Sequence, residues 1–175
     1  MQFEILEGTD PSSYMLFTVV TVRKEESAGQ PFWKEIEERE NERNAKDTFS
    51  IEEEAVSDFL AYFLWKYFDP RLSYNQKRKV DDRMYSDEFE WHGFNYYTND
   101  SMEQMCDEIW ETAKLLRQDY ENPDLAEVKE RFLWYLSEEP RAIENIVGFY
   151  RRFVKRMRRL IKEYSRVGVI VVIGP

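Results

Sequence analysis

The two ends of the chain carry runs of β-branched and aromatic residues that predict β-strands. Near the start these runs cover 3–7 and 14–22, and a turn cluster, Gly-Thr-Asp-Pro-Ser-Ser, separates them. Near the end, 167–173 reads Val-Gly-Val-Ile-Val-Val-Ile. Because the 14–22 and 167–173 runs are apolar at both parities, both faces of each strand need to be covered. Pairing the two ends in one sheet is the simplest way to bury them.

Between these ends, apolar residues recur at three- and four-residue steps, the spacing of amphipathic helices. Ser50-Ile-Glu-Glu and Ser101-Met-Glu-Gln each match a capping box. They predict one helix that starts at Ser50 and stops at Asp69-Pro70, and another that starts at Ser101 and ends near 119. Asn122-Pro-Asp predicts the start of a shorter helix. The last helix is expected to follow Pro140 and to end at Tyr164.

Three further segments complete the expected layout. The 31–48 stretch predicts an exposed helix ending in a connector, 71–87 is a polar connector, and 88–98 predicts a short hairpin or an edge strand. Two or three strands with four or five amphipathic helices indicate an α+β fold, with a small sheet made from the N-terminal strands and the C-terminal strand. A chain of 175 residues is long enough for one domain with a real core, so we expect 1–175 to be a single domain.

Composition indicates a folded protein outside the membrane. Hydrophobic residues make up 42% and aromatic residues 16%, which excludes general disorder. The longest apolar stretch, 167–173, is far shorter than the ~20 residues of a spanning helix. The first residues lack the basic start and apolar run of a secretory signal, and one cysteine cannot form an internal disulfide. We therefore expect a cytoplasmic location.

The charge distribution is uneven. Residues 151–166 carry eight Lys or Arg and one Glu, whereas the whole chain sums to -10. Setting aside the +7 of that segment leaves -17 on the rest of the chain. The sequence thus predicts an acidic body with one basic helix.

On that last helix, apolar residues are expected to cover one half of the cylinder and basic residues the other half. Three interpretations of the basic half remain open. Acidic residues of the same domain, such as the 103–111 face, could neutralise it; it could bind phosphate groups or an acidic partner; or it could lie on an anionic membrane. The basic half consists of Arg151, Arg152, Lys155, Arg156, Arg158, Arg159, Lys162 and Arg166.

The surplus of acidic residues has two interpretations: it keeps the protein soluble, or it forms a face that captures a basic protein. Acidic residues next to aromatic ones have the composition of protein-binding hot spots, although these aromatics could instead pack within a hairpin. The candidate partner-binding residues are Asp87, Glu88, Glu90, Trp91, Phe94, Tyr96 and Tyr97, together with Glu52 and Glu53 at the predicted helix start.

No catalytic motif accompanies these features. The sequence contains no phosphate loop, dinucleotide-binding fingerprint, cysteine pair or metalloprotease helix. His92 is expected to be a solvated turn residue, and Cys106 lies on the apolar side of a predicted helix, where a cysteine is a small buried hydrophobe. We therefore expect no enzyme activity, no metal site and no cofactor.

In size, acidity and α+β layout the chain resembles the immunity proteins that bacteria encode beside secreted toxins, including those of contact-dependent growth inhibition systems. The resemblance implies an inhibitor that binds a cognate toxin, often a nuclease, and blocks its active site or an adjoining surface. It carries over no individual residue. The alternative function is a nucleic-acid or phosphate-binding accessory protein that uses Arg151, Arg152, Lys155, Arg156 and Arg159.

Overall fold

A computed structural model of the chain shows an α+β fold built on a five-stranded sheet of order β1-β3-β2-β5-β4, in which all neighbouring strands are antiparallel. The structure describes residues 4–7, 16–22, 48–68, 89, 91–163 and 169–174. The strands are β1 Ile5–Glu7, β2 Leu16–Val22, β3 Phe49–Glu52, β4 Phe94–Tyr97 and β5 Val169–Ile173.

The predicted pairing of the two chain ends is confirmed. Strand β2 lies beside β5, with Thr18 opposite Ile173 and Val22 opposite Val169. Strand β4 flanks β5 and ends the sheet on that side, so the 88–98 segment contributes an edge strand.

Strand β3 is the element that sequence reasoning missed. The predicted capping box at Ser50 is wrong, because Ser50 is buried inside β3 and its hydroxyl lies 3.4 Å from that of Thr18 on β2. The helix starts at Glu53, and its N-cap residue, Glu52, makes no side-chain capping bond. Pairing with β1 on one side and β2 on the other satisfies the backbone of Phe49–Glu52, and this outweighs the local helix signal.

Helix α1 covers 53–67 and has three consecutive parts: Glu53–Ala55, a π-helical segment Val56–Leu60, and Ala61–Tyr67. In the π-helical segment the Ala61 N–H donates to the Val56 carbonyl, five residues back. The other helices are α2 Asn99–Gln118, α3 Ala126–Arg131, α4 Leu133–Glu138 and α5 Ala142–Glu163, with a 3₁₀ turn at Pro123–Leu125 before α3.

The caps of these helices are partly as expected. Asn122 accepts from the Asp124 N–H at 3.0 Å and Pro123 occupies the first turn, as predicted. The second predicted capping box is displaced, because the N-cap of α2 is Thr98. The Ser101 N–H donates to the Thr98 hydroxyl at 3.0 Å, which makes Ser101 the third helical residue instead of the cap.

The core lies between one face of the sheet and the helices. Helix α5 contributes more of the largest buried side chains than any other described element, with Phe149, Tyr150 and Phe153, and α2 packs beside it. Buried hydroxyls are satisfied by α1 carbonyls: Tyr97 donates to Leu64 at 2.8 Å and Tyr150 donates to Phe59 at 2.9 Å. The opposite sheet face is also buried at Val20 and Val171. This was predicted from the apolar residues that point to both faces of these strands.

Other sequence predictions fall on parts of the chain that are not described. The predicted helix at 31–48, apart from Thr48, and the connector at 71–87 lie outside the described residues. Among the helices that the structure describes, none combines the length and hydrophobicity needed to cross a bilayer.

Candidate protein-binding surface

The structure brings together three of the predicted acidic and aromatic residues. Glu52 ends β3, Glu53 starts α1, and the Trp91 indole N–H donates to the Glu53 carboxylate at 3.1 Å. Burial raises the pKa of Glu52, and the negative charges of Glu4 and Glu54 raise it further. These carboxylates therefore form an acidic edge at the β3–α1 junction, next to Trp91.

Of the remaining predicted residues, two are buried and the others are not described at the level of the side chain. Tyr96 and Tyr97 are buried, 7% and 0% exposed. Their side chains therefore pack within the domain, as in the alternative that these aromatics have a packing role and not a binding role. Phe94 lies in β4, and nothing is described of its side chain. Asp87, Glu88 and Glu90 lie outside the described residues.

Trp91 is held in place by the end of β5 and by the core. Its ring packs edge-on against Phe17 with the centroids 4.9 Å apart. The Gly174 N–H donates to the Gly93 carbonyl at 3.0 Å, and a Cβ added at Gly174 would lie 1.6 Å from the Trp91 carbonyl oxygen. Only glycine allows β5 to approach this turn so closely.

A second group of surface residues was missed by sequence reasoning. Trp65 on α1 and Leu133 and Trp134 on α4 are 49%, 55% and 50% exposed. The Arg131 guanidinium lies over the Trp65 ring, 5.2 Å from its centroid. Asp58 interacts with the Trp134 side chain; burial raises the pKa of Asp58, and its hydrogen bonds with Ser57 and Trp134 oppose that rise.

One feature of the sequence could have identified this group: its large apolar residues do not belong to the apolar stripe of their helix. The α1 stripe includes Leu64 and Tyr67 but omits Trp65, and the α3–α4 stripe includes Phe132 and Tyr135 but omits Leu133 and Trp134. A large apolar residue outside the buried stripe of an amphipathic helix is a candidate contact residue.

Aromatic contacts join the two groups into one surface. Phe89 lies between them, 6.2 Å from Trp65 and 6.3 Å from Trp91 by ring centroids. The contacts thus continue from Arg131 through these rings to the acidic edge. We call this surface the aromatic–acidic face and define it by Glu53, Asp58, Trp65, Phe89, Trp91, Arg131, Leu133 and Trp134.

The basic helix is only partly free of intramolecular contacts. Arg158 pairs with Asp107, and also with Glu103 at 3.6 Å, so the 103–111 face does neutralise part of it. Arg159 pairs with Glu163 at 2.9 Å. Arg151, Arg152, Lys155, Arg159 and Lys162 are exposed.

The placement of Arg156 on the solvent half was wrong. Arg156 is 7% exposed; it donates to the Thr48 carbonyl at 3.1 Å and lies over the Phe49 ring, 4.9 Å from its centroid. Because α-helices repeat every 3.6 residues, position 156 shares a side with Phe149 and Leu160. Arg156 therefore supports the start of β3 and is not part of a surface for ligands.

The one cysteine and the one histidine of the chain lie in different environments. Cys106 is fully buried, and burial raises the pKa of its thiol to about 12. His92 is exposed in the turn before β4. In the described part of the chain, no group of three or more His, Cys, Asp or Glu side chains is placed to hold a metal ion.

The chain matches no protein-family model, and no curated protein and no solved structure is significantly similar to it. The resemblance to immunity proteins stays a prediction.

Proposed function

We propose that this protein is a protein-binding inhibitor that neutralises a cognate toxin by direct contact, in the manner of an immunity protein. The observation that carries the proposal is the aromatic–acidic face. Binding through this face requires neither a metal nor a cofactor.

The composition of the face supports protein binding. Trp65, Leu133 and Trp134 each leave about half of their surface in water. Tryptophan and arginine are the residues most enriched in interface hot spots, and Arg131 stacks directly on Trp65. Burying these side chains against a partner removes apolar surface that the fold itself leaves uncovered.

The charges around the face favour a basic partner. Glu53 and Asp58 belong to the face, and Glu52 and Glu54 adjoin it. Outside 151–166 the chain carries a net charge of -17. Such a surface attracts a basic protein over several ångströms and accelerates the encounter, as expected for an inhibitor of a toxin that itself acts on nucleic acid.

Co-expression with the product of the adjacent gene tests the proposal. We expect that product to arrest growth when expressed alone and this protein to relieve the arrest. Leu133→Asp, which places a charge on the most exposed member of this apolar group, should abolish the relief. Leu6→Asp is the matched control, because Leu6 is also exposed, at 37%, but lies on the sheet face opposite to the helices.

Two results would contradict the proposal. The first is growth arrest that the wild-type protein does not relieve, with no complex recovered on co-purification. The second is equal relief by wild type and Leu133→Asp, which would show that inhibition does not use the aromatic–acidic face.

A further inference from the structure

A groove with a volume of about 850 Å³ lies between the C-terminal end of α2, the end of α4 and the first half of α5. Its apolar lining includes Leu116, Ile143 and Val147. Gly148 also lines it, so the groove reaches the helix surface where a side chain would otherwise stand. This groove does not overlap the aromatic–acidic face.

The groove is lined by both positively and negatively charged side chains. Arg117 and Arg151 supply positive charge, and Glu139 and Glu144 supply carboxylates. Tyr120 lines the groove and Lys129 lies over its ring, 3.9 Å from the centroid. Arg151 also lies over the Trp110 ring at 5.8 Å. A ligand here meets an apolar floor, the Tyr120 side chain, cations and hydrogen-bond acceptors.

From Arg151 a row of cations continues along the solvent side of α5. We call this the cationic row; its members are Arg151, Arg152, Lys155, Arg159 and Lys162. At about 1.5 Å per residue the row spans about 16 Å. That length covers about five phosphates at the roughly 3.4 Å spacing of a stacked strand.

An anionic membrane does not fit this surface. Phe149, Phe153 and Leu160, on the apolar side of α5, are buried in the core and cannot enter a bilayer. An acidic peptide meets the cations with its carboxylates, and its backbone N–H groups can reach the acceptors, but its acidic side chains provide no flat ring for the apolar floor. A nucleotide provides all three, because its phosphate pairs with arginine, its base carries amino donors for carboxylates, and the base is a flat ring.

We propose that the groove and the cationic row bind single-stranded nucleic acid, with a base in the groove and the following phosphates on Arg151, Arg152 and Lys155. The base stacks or packs on the apolar floor, and the backbone follows the row towards Lys162. Exposed ion pairs such as Arg159–Glu163 are weak and yield to phosphate. This activity is separate from the proposed inhibitor function and uses a different surface.

The salt dependence follows from the number of cations. Five phosphate contacts on a single strand give a log–log slope of about -3.5, so affinity should fall about 130-fold between 50 and 200 mM salt. Removing one contact should reduce the slope by about 0.7.

The test is fluorescence anisotropy of labelled 12-nucleotide RNA and DNA with the full chain. Arg151→Glu should weaken binding at least tenfold at 50 mM salt. Lys66→Glu is the matched control, since it makes the same charge change at an exposed lysine on α1 and should leave binding unchanged. Gly148→Leu fills the groove and should also weaken binding. Leucine favours the helix more than glycine does, and the Cβ at this position meets the flexible end of Arg152, 3.4 Å away, so we expect the fold to be kept, and a thermal melt of the variant checks this.

Loss of binding in both Arg151→Glu and Gly148→Leu, with Lys66→Glu unchanged, would support the proposal. Three results would overturn it: no wild-type binding at 50 mM salt, full binding by either site variant, or equally tight binding of polyglutamate or phosphatidylserine vesicles. Binding to RNA alone or DNA alone would support the site and identify its ligand.

Discussion

Replacing Arg156 with alanine should destabilise the fold strongly, although the residue belongs to the most basic segment of the chain. The substitution removes a charged hydrogen bond to the buried Thr48 carbonyl, worth about 1.5–3 kcal/mol. It also removes the stacking of the guanidinium on Phe49, worth about 1 kcal/mol. The expected loss in the free energy of unfolding is therefore about 3 kcal/mol.

Urea denaturation followed by far-ultraviolet circular dichroism measures this loss. For a slope of about 2 kcal/mol per molar urea, the midpoint of Arg156→Ala should fall by about 1.5 M. Arg152→Ala is the matched control. Arg152 lies one turn earlier on the same helix but is exposed, so its removal should change stability by no more than about 0.5 kcal/mol.

Equal midpoints for the two variants would refute this reasoning. Arg156 would then be an ordinary surface residue, as the separation of apolar and basic halves predicted. A loss confined to Arg156→Ala would establish that its guanidinium stabilises the contact between α5 and the start of β3.

Three further predictions concern other parts of the molecule. Gly174→Ala should overpack the contact with the Trp91 carbonyl and reduce the free energy of unfolding by about 1–3 kcal/mol, which lowers the thermal midpoint; an unchanged midpoint would contradict that contact. Cys106, whose burial raises its pKa to about 12, should react with a thiol reagent at pH 8 only after unfolding, so fast native labelling would show that it is accessible. Burial and its hydrogen bond with Glu108 raise the pKa of Tyr67 from 10.0 to about 12. The Tyr67 hydroxyl should contribute fully to stability below pH 10, and this contribution should be lost as the pH rises towards 12. The free energy of unfolding should therefore fall less for Tyr67→Phe than for wild type between pH 10 and 12; equal falls would refute this prediction.

The elements that could be predicted from sequence are those whose pattern is local and repeated. The β-branched runs at the chain ends gave β2 and β5, and the helical spacing of apolar residues gave α2 and α5 to within a few residues. In each case many residues carry the same signal, so one exception does not change the prediction.

The errors fall where a distant contact decides the outcome. Phe49–Glu52 is too short to show a strand pattern, and its conformation depends on pairing with β1 and β2. Arg156 bonds to the Thr48 carbonyl, and a helical projection of α5 cannot show this contact because Thr48 lies outside that helix. The aromatic–acidic face likewise assembles residues from α1, α3, α4 and the turn before β4, whose proximity is a property of the fold.

We propose that this protein works by contact through the aromatic–acidic face. Isothermal titration calorimetry of the purified protein with the purified product of the adjacent gene measures that contact without other components. We expect a stable complex and a loss of at least about 2 kcal/mol of binding free energy for Trp134→Ala, close to a 30-fold weaker affinity. The absence of binding by wild type, or equal affinities for wild type and Trp134→Ala, would contradict it.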